Sequence, residues 1–162
     1  MEIINMILNI IIGMIIIQLA TTLHEFGHAM PALFFTKDKV TMYLGVGKNN
    51  DKNFNIANLE IIIRGFHPFT GFVYWKQDKL STLQKIIVVA GGPLVSLLIS
   101  IGLFLLTNTL ESRVLTEITK FTAYYNFYQF IVTAIPIKYP SWWGTYAGTT
   151  SDGYKTVELL KM

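Results

Sequence analysis

The chain has 162 residues, enough for one domain, and its 52% hydrophobic and 14% charged content with a mean hydropathy of +0.45 excludes an ordinary water-soluble domain. It contains no cysteine, which rules out disulfides and thiolate metal ligands together. A net charge of +3 is spread between apolar stretches rather than gathered in one basic arm, so nucleic acid is not an expected partner.

Ile3 to Leu23 is an uncharged run worth about 30 Å as a helix, long enough to cross a hydrocarbon core. Its leading charge is Glu2 and no small-x-small cleavage site follows, so it reads as part of the mature protein and not as a signal peptide. The run passes directly into His24-Glu25-Phe26-Gly27-His28, and a first span over 3–34 is expected. From 39 to 76 the pattern changes to short branched and aromatic runs, Val40 to Val46, Ile56 to Arg64 and Phe72 to Trp75. Gly45, Gly47, Asn49-Asn50, Gly65, Pro68 and Gly71 punctuate them, which predicts short strands at the membrane surface.

A second span is expected over 86–107, with Gly91, Gly92 and Pro93 near its start, where small residues let helices approach closely. A third, shorter and more aromatic, is expected over 121–137 and carries the polar Asn126. Residues 138–151 read as an interfacial or re-entrant loop, with Trp142, Trp143 and Tyr146 as headgroup-level anchors or an ordinary aromatic belt. Tyr154 to Leu160 closes the chain as a helical segment. The fold class expected is a mainly α membrane protein: three transmembrane helices with a small membrane-associated β element between the first and second, in a single domain over 1–162.

Charge counting orients these spans. The stretch after the first carries Lys37, Lys39, Lys48, Lys52, Arg64, Lys76, Lys79 and Lys85, whereas the loop after the second carries Arg113 and Lys120. The first loop is therefore expected in the cytoplasm, the N-terminus outside, and the C-terminus with Lys138, Lys155 and Lys161 inside. Spans one and three then end at the same face.

His24 and His28 are four residues apart, so a helix puts both imidazoles on one side, where they can share a Zn²⁺ with Glu25 beside its water. Glu25 is the expected general base. Two histidines falling at helical spacing by chance is the plain alternative, but an unliganded Glu and His pair at a membrane boundary costs on the order of a few kcal/mol. Catalytic zinc takes three protein ligands and leaves one position open. Span parity selects Asp152 for the third, although Ser151-Asp152-Gly153 also reads as a helix N-cap or a turn. Glu60 and His67 are rivals within the strand region.

These motifs together resemble the site-2 protease family of intramembrane zinc metalloproteases. His28-Ala29-Met30-Pro31-Ala32 is similar to the family's continuation of its His-Glu helix, Ala90-Gly91-Gly92-Pro93 to the Gly-Pro element of its middle helix, and Asp152-Gly153 to the Asp-Gly that gives its third ligand. The resemblance covers nearly the whole chain as a minimal three-helix core without an appended peptide-binding domain. Ser96 stands where the family usually has Asn, Thr133 stands for the Asn of its Asn-x-x-Pro, and residues 137–150 lengthen the path from Pro136 to Asp-Gly.

The resemblance implies a zinc endopeptidase with His24, His28 and Asp152 holding Zn²⁺ and Glu25 moving the proton, acting on transmembrane or membrane-bound peptides. A multi-pass cell membrane location follows, a bacterial plasma membrane above all, with the active site towards the cytoplasm. An exposed strand can pair with an unwound substrate segment, and Gly71, Phe72 and Asn126 are the candidate substrate-binding positions. A regulatory membrane partner is also compatible with the small size. The other functions this sequence fits are an inert metal-binding relative acting as a partner or immunity-type protein, and a metal transporter, for which Glu25 has no use.

Overall fold

A computed structural model describes residues 2–47 and 52–162. The described residues form four α-helices and a small mixed sheet in the order α1 (Glu2–Phe35), β1 (Val40–Leu44), β2 (Lys52–Ile56), β3 (Leu59–Ile63), β4 (Gly71–Tyr74), α2 (Thr82–Thr107), α3 (Arg113–Ala134) and α4 (Asp152–Leu160). A single 3-10 turn, Gly144–Tyr146, interrupts the segment before α4.

Helices α1 and α2 are long and apolar enough to cross a membrane. Burial within α1 begins at Ala20, and the isoleucine-rich half before it presents its side chains outward, as a lipid-facing helix does. Helix α2 starts from a reciprocal cap: Gln84 N–H donates to Ser81 Oγ at 3.3 Å, and Ser81 N–H donates to Gln84 Oε1 at 2.9 Å. Helix α3 opens on a polar turn bearing Arg113, Glu117 and Lys120, so its apolar part is confined to the second half. It stops at Ala134 because Pro136 cannot continue a helix and the residue before a proline favours extended backbone, as Ile135 adopts at φ −66° and ψ 130°. Helix α2 packs against both α1 and α3 and also receives α4.

The sheet runs β2-β3-β1-β4. Strands β1 and β3 are parallel, and β4 and β2 add antiparallel at either side. The expected strand from Ile56 to Arg64 proves to be half of a hairpin, with Ala57 at φ 51° in its turn and Lys52–Ile56 as its other arm. That arm is exposed throughout, which is why no buried alternation marks it in the sequence. The turn expected at Asn49-Asn50 lies outside the described residues. Val40, Met42, Leu44 and Leu59 pack with Ala29 and Ala32 of α1 and Val88 of α2, which seats the sheet against the end of α1 that carries the histidines.

Candidate metal centre

The histidine end of α1 is held against α2 by backbone contact. A Cβ at Gly27 would lie 2.9 Å from Gly92 Cα, and one at Gly91 would strike the Gly27 carbonyl oxygen. Glycine on both helices therefore sets their separation. Gly92 does the same for the imidazoles, because a Cβ there would overlap His28 Nε2 and come within 2.7 Å of His24 Nε2. The close helix approach expected at Gly91 and Gly92 is present, and Gly92 in addition cradles both rings.

Each ring is oriented from α2. His28 Nδ1 lies 2.9 Å from the Val88 carbonyl oxygen, which can only accept, so Nδ1 carries the hydrogen and Nε2 of the neutral ring presents its lone pair. The Gly92 N–H approaches the same Nδ1 at a longer 3.4 Å, a geometry the carbonyl contact overrides. His24 Nδ1 lies 2.9 Å from Ser96 Oγ. Ser96 and the Val88 carbonyl are absent from the sequence reading as ring-orienting groups. Their only signal there is helical spacing, since 88, 92 and 96 fall on one face.

Asp152 arrives from the far end of the chain. Ser151 is the N-cap of α4, its Oγ accepting from Tyr154 N–H at 3.1 Å and donating to the Ile135 carbonyl oxygen at 2.6 Å. The capping role open to Asp152 in the sequence therefore falls to its neighbour. A Cβ at Gly153 would strike the Ala134 carbonyl oxygen, so glycine lets the first turn of α4 pack onto the end of α3. Asp152 Oδ2 is thereby set 3.3 Å from His28 Nε2 and 3.5 Å from His24 Nε2, while Oδ1 accepts from Lys155 Nζ at 3.1 Å. Burial alone would raise the Asp152 pKa, but the histidines and Lys155 outweigh it and hold the carboxyl well below its ordinary value.

His24 Nε2 and His28 Nε2 are 3.3 Å apart, and with Asp152 Oδ2 they make a triangle of sides 3.3, 3.3 and 3.5 Å. Three edges of a tetrahedral zinc site with bonds of about 2.0–2.1 Å measure about 3.3–3.4 Å. The donor set fits Zn²⁺, and electron pairs converging on one point require a cation or a proton between them. Among the described residues this is the cluster of His and carboxylate groups able to hold a metal. The rivals lie elsewhere: Glu60 pairs with Lys39 at 2.8 Å, and His67 Nδ1 lies 2.7 Å from Thr70 Oγ1 in a local turn.

Glu25 is 6% exposed and rests on the sheet edge, where a Cβ at Gly71 would come within 2.5 Å of its Cγ and 2.8 Å of its Oε1. It opens with the metal cluster onto a cavity of about 780 Å³ lined by β4, α3 and the 138–151 segment. Gly71 and Phe72 line this cavity. Asn126 is not among the lining residues; it is 1% exposed, its Nδ2 donates to the Thr122 carbonyl oxygen at 2.8 Å, and its Oδ1 has no partner among the described residues. Of the loop aromatics, Trp142 is 77% exposed, Trp143 stacks on Tyr139 at 4.7 Å, and Tyr146 turns inward to bond Gly71. Burial, followed by the charge of Glu25, raises the Tyr146 pKa and keeps its hydroxyl protonated.

The model of peptidase family M50 matches residues 10–149, a stretch holding both histidines, Glu25 and Gly91-Gly92-Pro93 and ending shortly before Asp152. No curated protein matches the chain. By that match over most of its length the chain belongs to peptidase family M50, the site-2 protease family, whose members are membrane-embedded zinc metalloproteases.

Proposed function

We propose that this protein is an intramembrane zinc endopeptidase cleaving membrane-embedded or membrane-proximal peptides. The observation that carries the reading is the triangle of His24 Nε2, His28 Nε2 and Asp152 Oδ2, whose sides match a tetrahedral zinc site, with the buried Glu25 beside it. The chemistry a bound Zn²⁺ supplies is acidification of water and polarisation of the peptide carbonyl. His24 and His28 would hold it through Nε2 and Asp152 through Oδ2, the two rings being fixed in orientation by Ser96 and the Val88 carbonyl. Glu25 takes the proton of the attacking water on its carboxylate and returns it to the departing amine nitrogen.

A peptide must be extended to expose its carbonyl, and the β4 edge beside Glu25 offers it a strand to pair with. Gly71 matters there for its lack of a side chain and Phe72 for its place on that edge. The membrane arrangement that accompanies this reading has α1, α2 and the second half of α3 crossing, with the sheet and the active site at the cytoplasmic side of a cell membrane. Support comes from the two long apolar helices and from the Lys and Arg distribution.

The test is zinc content and cleavage of a membrane peptide by the purified full chain. His24→Ala and His28→Ala should each lose most of the metal. Glu25→Gln should keep it while turnover disappears. A protein that uses these ligands for transport or partner binding would keep its function in Glu25→Gln, and full zinc occupancy in either histidine variant would overturn the ligand assignment.

A further inference from the structure

The outer edge of β4 is already occupied. Gly45 N–H donates to the Thr70 carbonyl oxygen at 2.9 Å, which makes Gly45 and Thr70 a hydrogen-bonded pair of the antiparallel β1–β4 ladder. The next pair, Leu44 with Gly71, is then the non-hydrogen-bonded kind, and the N–H and C=O of Gly71 point away from β1. The same alternation turns the backbone groups of Val73 outward. Because β4 ends the sheet, these are the groups an added strand would bond.

At Gly71 both are taken by one atom. Tyr146 Oη accepts from the Gly71 N–H at 3.0 Å and donates to the Gly71 C=O at 3.0 Å, as the facing backbone of a paired strand would. The segment presenting it is ordered within itself. Lys138 and Thr150 form a bridge across its base, and Tyr139 stacks on Trp143 at 4.7 Å and meets the Tyr146 ring at 5.8 Å. It meets the sheet through the Tyr146 pair, through Thr145 Oγ1 at 3.3 Å from Thr70 Oγ1, and through the Tyr146 ring 5.0 Å from Phe72. Gly144 and Gly148, at φ 56° and 76°, flank these residues, and a Cβ at either would meet nothing within 4 Å. Left-handed glycine on both sides of Tyr146, with the Gly148 N–H donating to the Tyr139 carbonyl oxygen at 3.0 Å, makes the segment a self-contained turn that can shift as a unit.

We propose that residues 138–151 form a strap that closes the substrate edge of β4, the Tyr146 hydroxyl holding the place of an extended peptide at Gly71 until the peptide displaces it. The strap deepens the peptidase reading by naming what regulates entry, and it rests on that reading only for what happens to the peptide after docking. Displacement exchanges two hydrogen bonds for two of the same kind and opens the cavity beside Glu25, so the strap costs affinity without forbidding entry.

The chain has no cysteine, which allows the strap to be locked by a single engineered disulfide. In the full chain, Thr70→Cys with Thr145→Cys places two sulfurs where two hydroxyls now lie 3.3 Å apart, at positions that are neither candidate metal ligands nor the candidate base. Binding of a fluorescein-labelled unstructured hexapeptide rich in Val and Leu is read by anisotropy in detergent, against detergent alone. The oxidised pair should bind it at least about tenfold more weakly than the reduced pair, and Tyr146→Phe about tenfold more tightly than the parent, as loss of two competing hydrogen bonds predicts. Amide exchange at Gly71 should also quicken in Tyr146→Phe. Equal binding by oxidised and reduced protein overturns the strap, as does binding by neither. Docking needs neither zinc nor Glu25, so retained strap behaviour with no cleavage by the parent would sink the peptidase reading and leave the strap standing.

Discussion

Ser96 Oγ lies 2.9 Å from Nδ1 of His24, a contact between residues 72 apart in the chain that fixes how the His24 ring faces the metal position. The hydroxyl is fully buried, so water cannot substitute for it without entering the α1–α2 interface. Ser96→Ala should leave the fold intact and weaken zinc binding about 10- to 100-fold, the usual cost of losing a partner that orients a ligand. Competition with a graded series of chelators measures it; unchanged affinity would mean the ring is oriented by packing alone.

Gly92 and Gly102 lie on the same helix and make a matched pair. A Cβ at 92 collides with both imidazoles, whereas one at 102 meets nothing within 4 Å. Gly92→Ala should therefore strip zinc and activity together. Gly102→Ala should be neutral or slightly stabilising, by up to about 1 kcal/mol from helix propensity. Thermal unfolding and metal analysis on the two variants check both halves, and a zinc-replete Gly92→Ala would contradict the cradle.

Ser151 and Asp152 divide between them two jobs that sequence alone leaves on one residue. Ser151→Ala removes the α4 cap and should cost about 1 kcal/mol of stability, with metal affinity falling only as far as α4 loosens. Asp152→Asn leaves the cap in place and removes the anionic donor, so zinc affinity and turnover should fall without a comparable drop in melting temperature. An Asp152→Asn protein that cleaves normally would remove Asp152 from the ligand set.

Topology provides an independent check of the three-crossing arrangement. Reporter fusions near Lys52 and at the C-terminus should both read cytoplasmic and one near Ser112 external, as the Lys and Arg distribution requires. Identical readings at 52 and 112 would reduce the crossings. Asp152 would then have to reach the histidines by some route other than a third span.

The candidate site is legible in sequence where its chemistry is encoded locally. His24, Glu25 and His28 need only helical spacing, whereas the contact that lets Gly153 seat α4 on the end of α3 is tertiary and leaves no mark in the sequence. The strand region is legible as a region, since branched runs between glycines are visible, but only one arm of its hairpin shows because β2 buries nothing. Ser96 stands in the sequence only as a departure from the resembling family, because its contact with His24 depends on the register of α1 against α2, which no single helix's pattern contains. Tyr146 is indistinguishable in sequence from the interfacial aromatics for the same reason: the phenol's direction is set by stacking between loop residues that have no periodicity.

Pro31 has no N–H, so it leaves the Gly27 carbonyl without its helical donor, and that is the carbonyl against which Gly91 sits. Backbone meets backbone at that point, and the contacts of His28 with the Val88 carbonyl and of His24 with Ser96 flank it, so the crossing is where the two helices are pinned. The two imidazoles sit at this pinned crossing, so the gap between their Nε2 atoms is dictated by main chain pressed on main chain and not by how far the apolar ends of either helix extend.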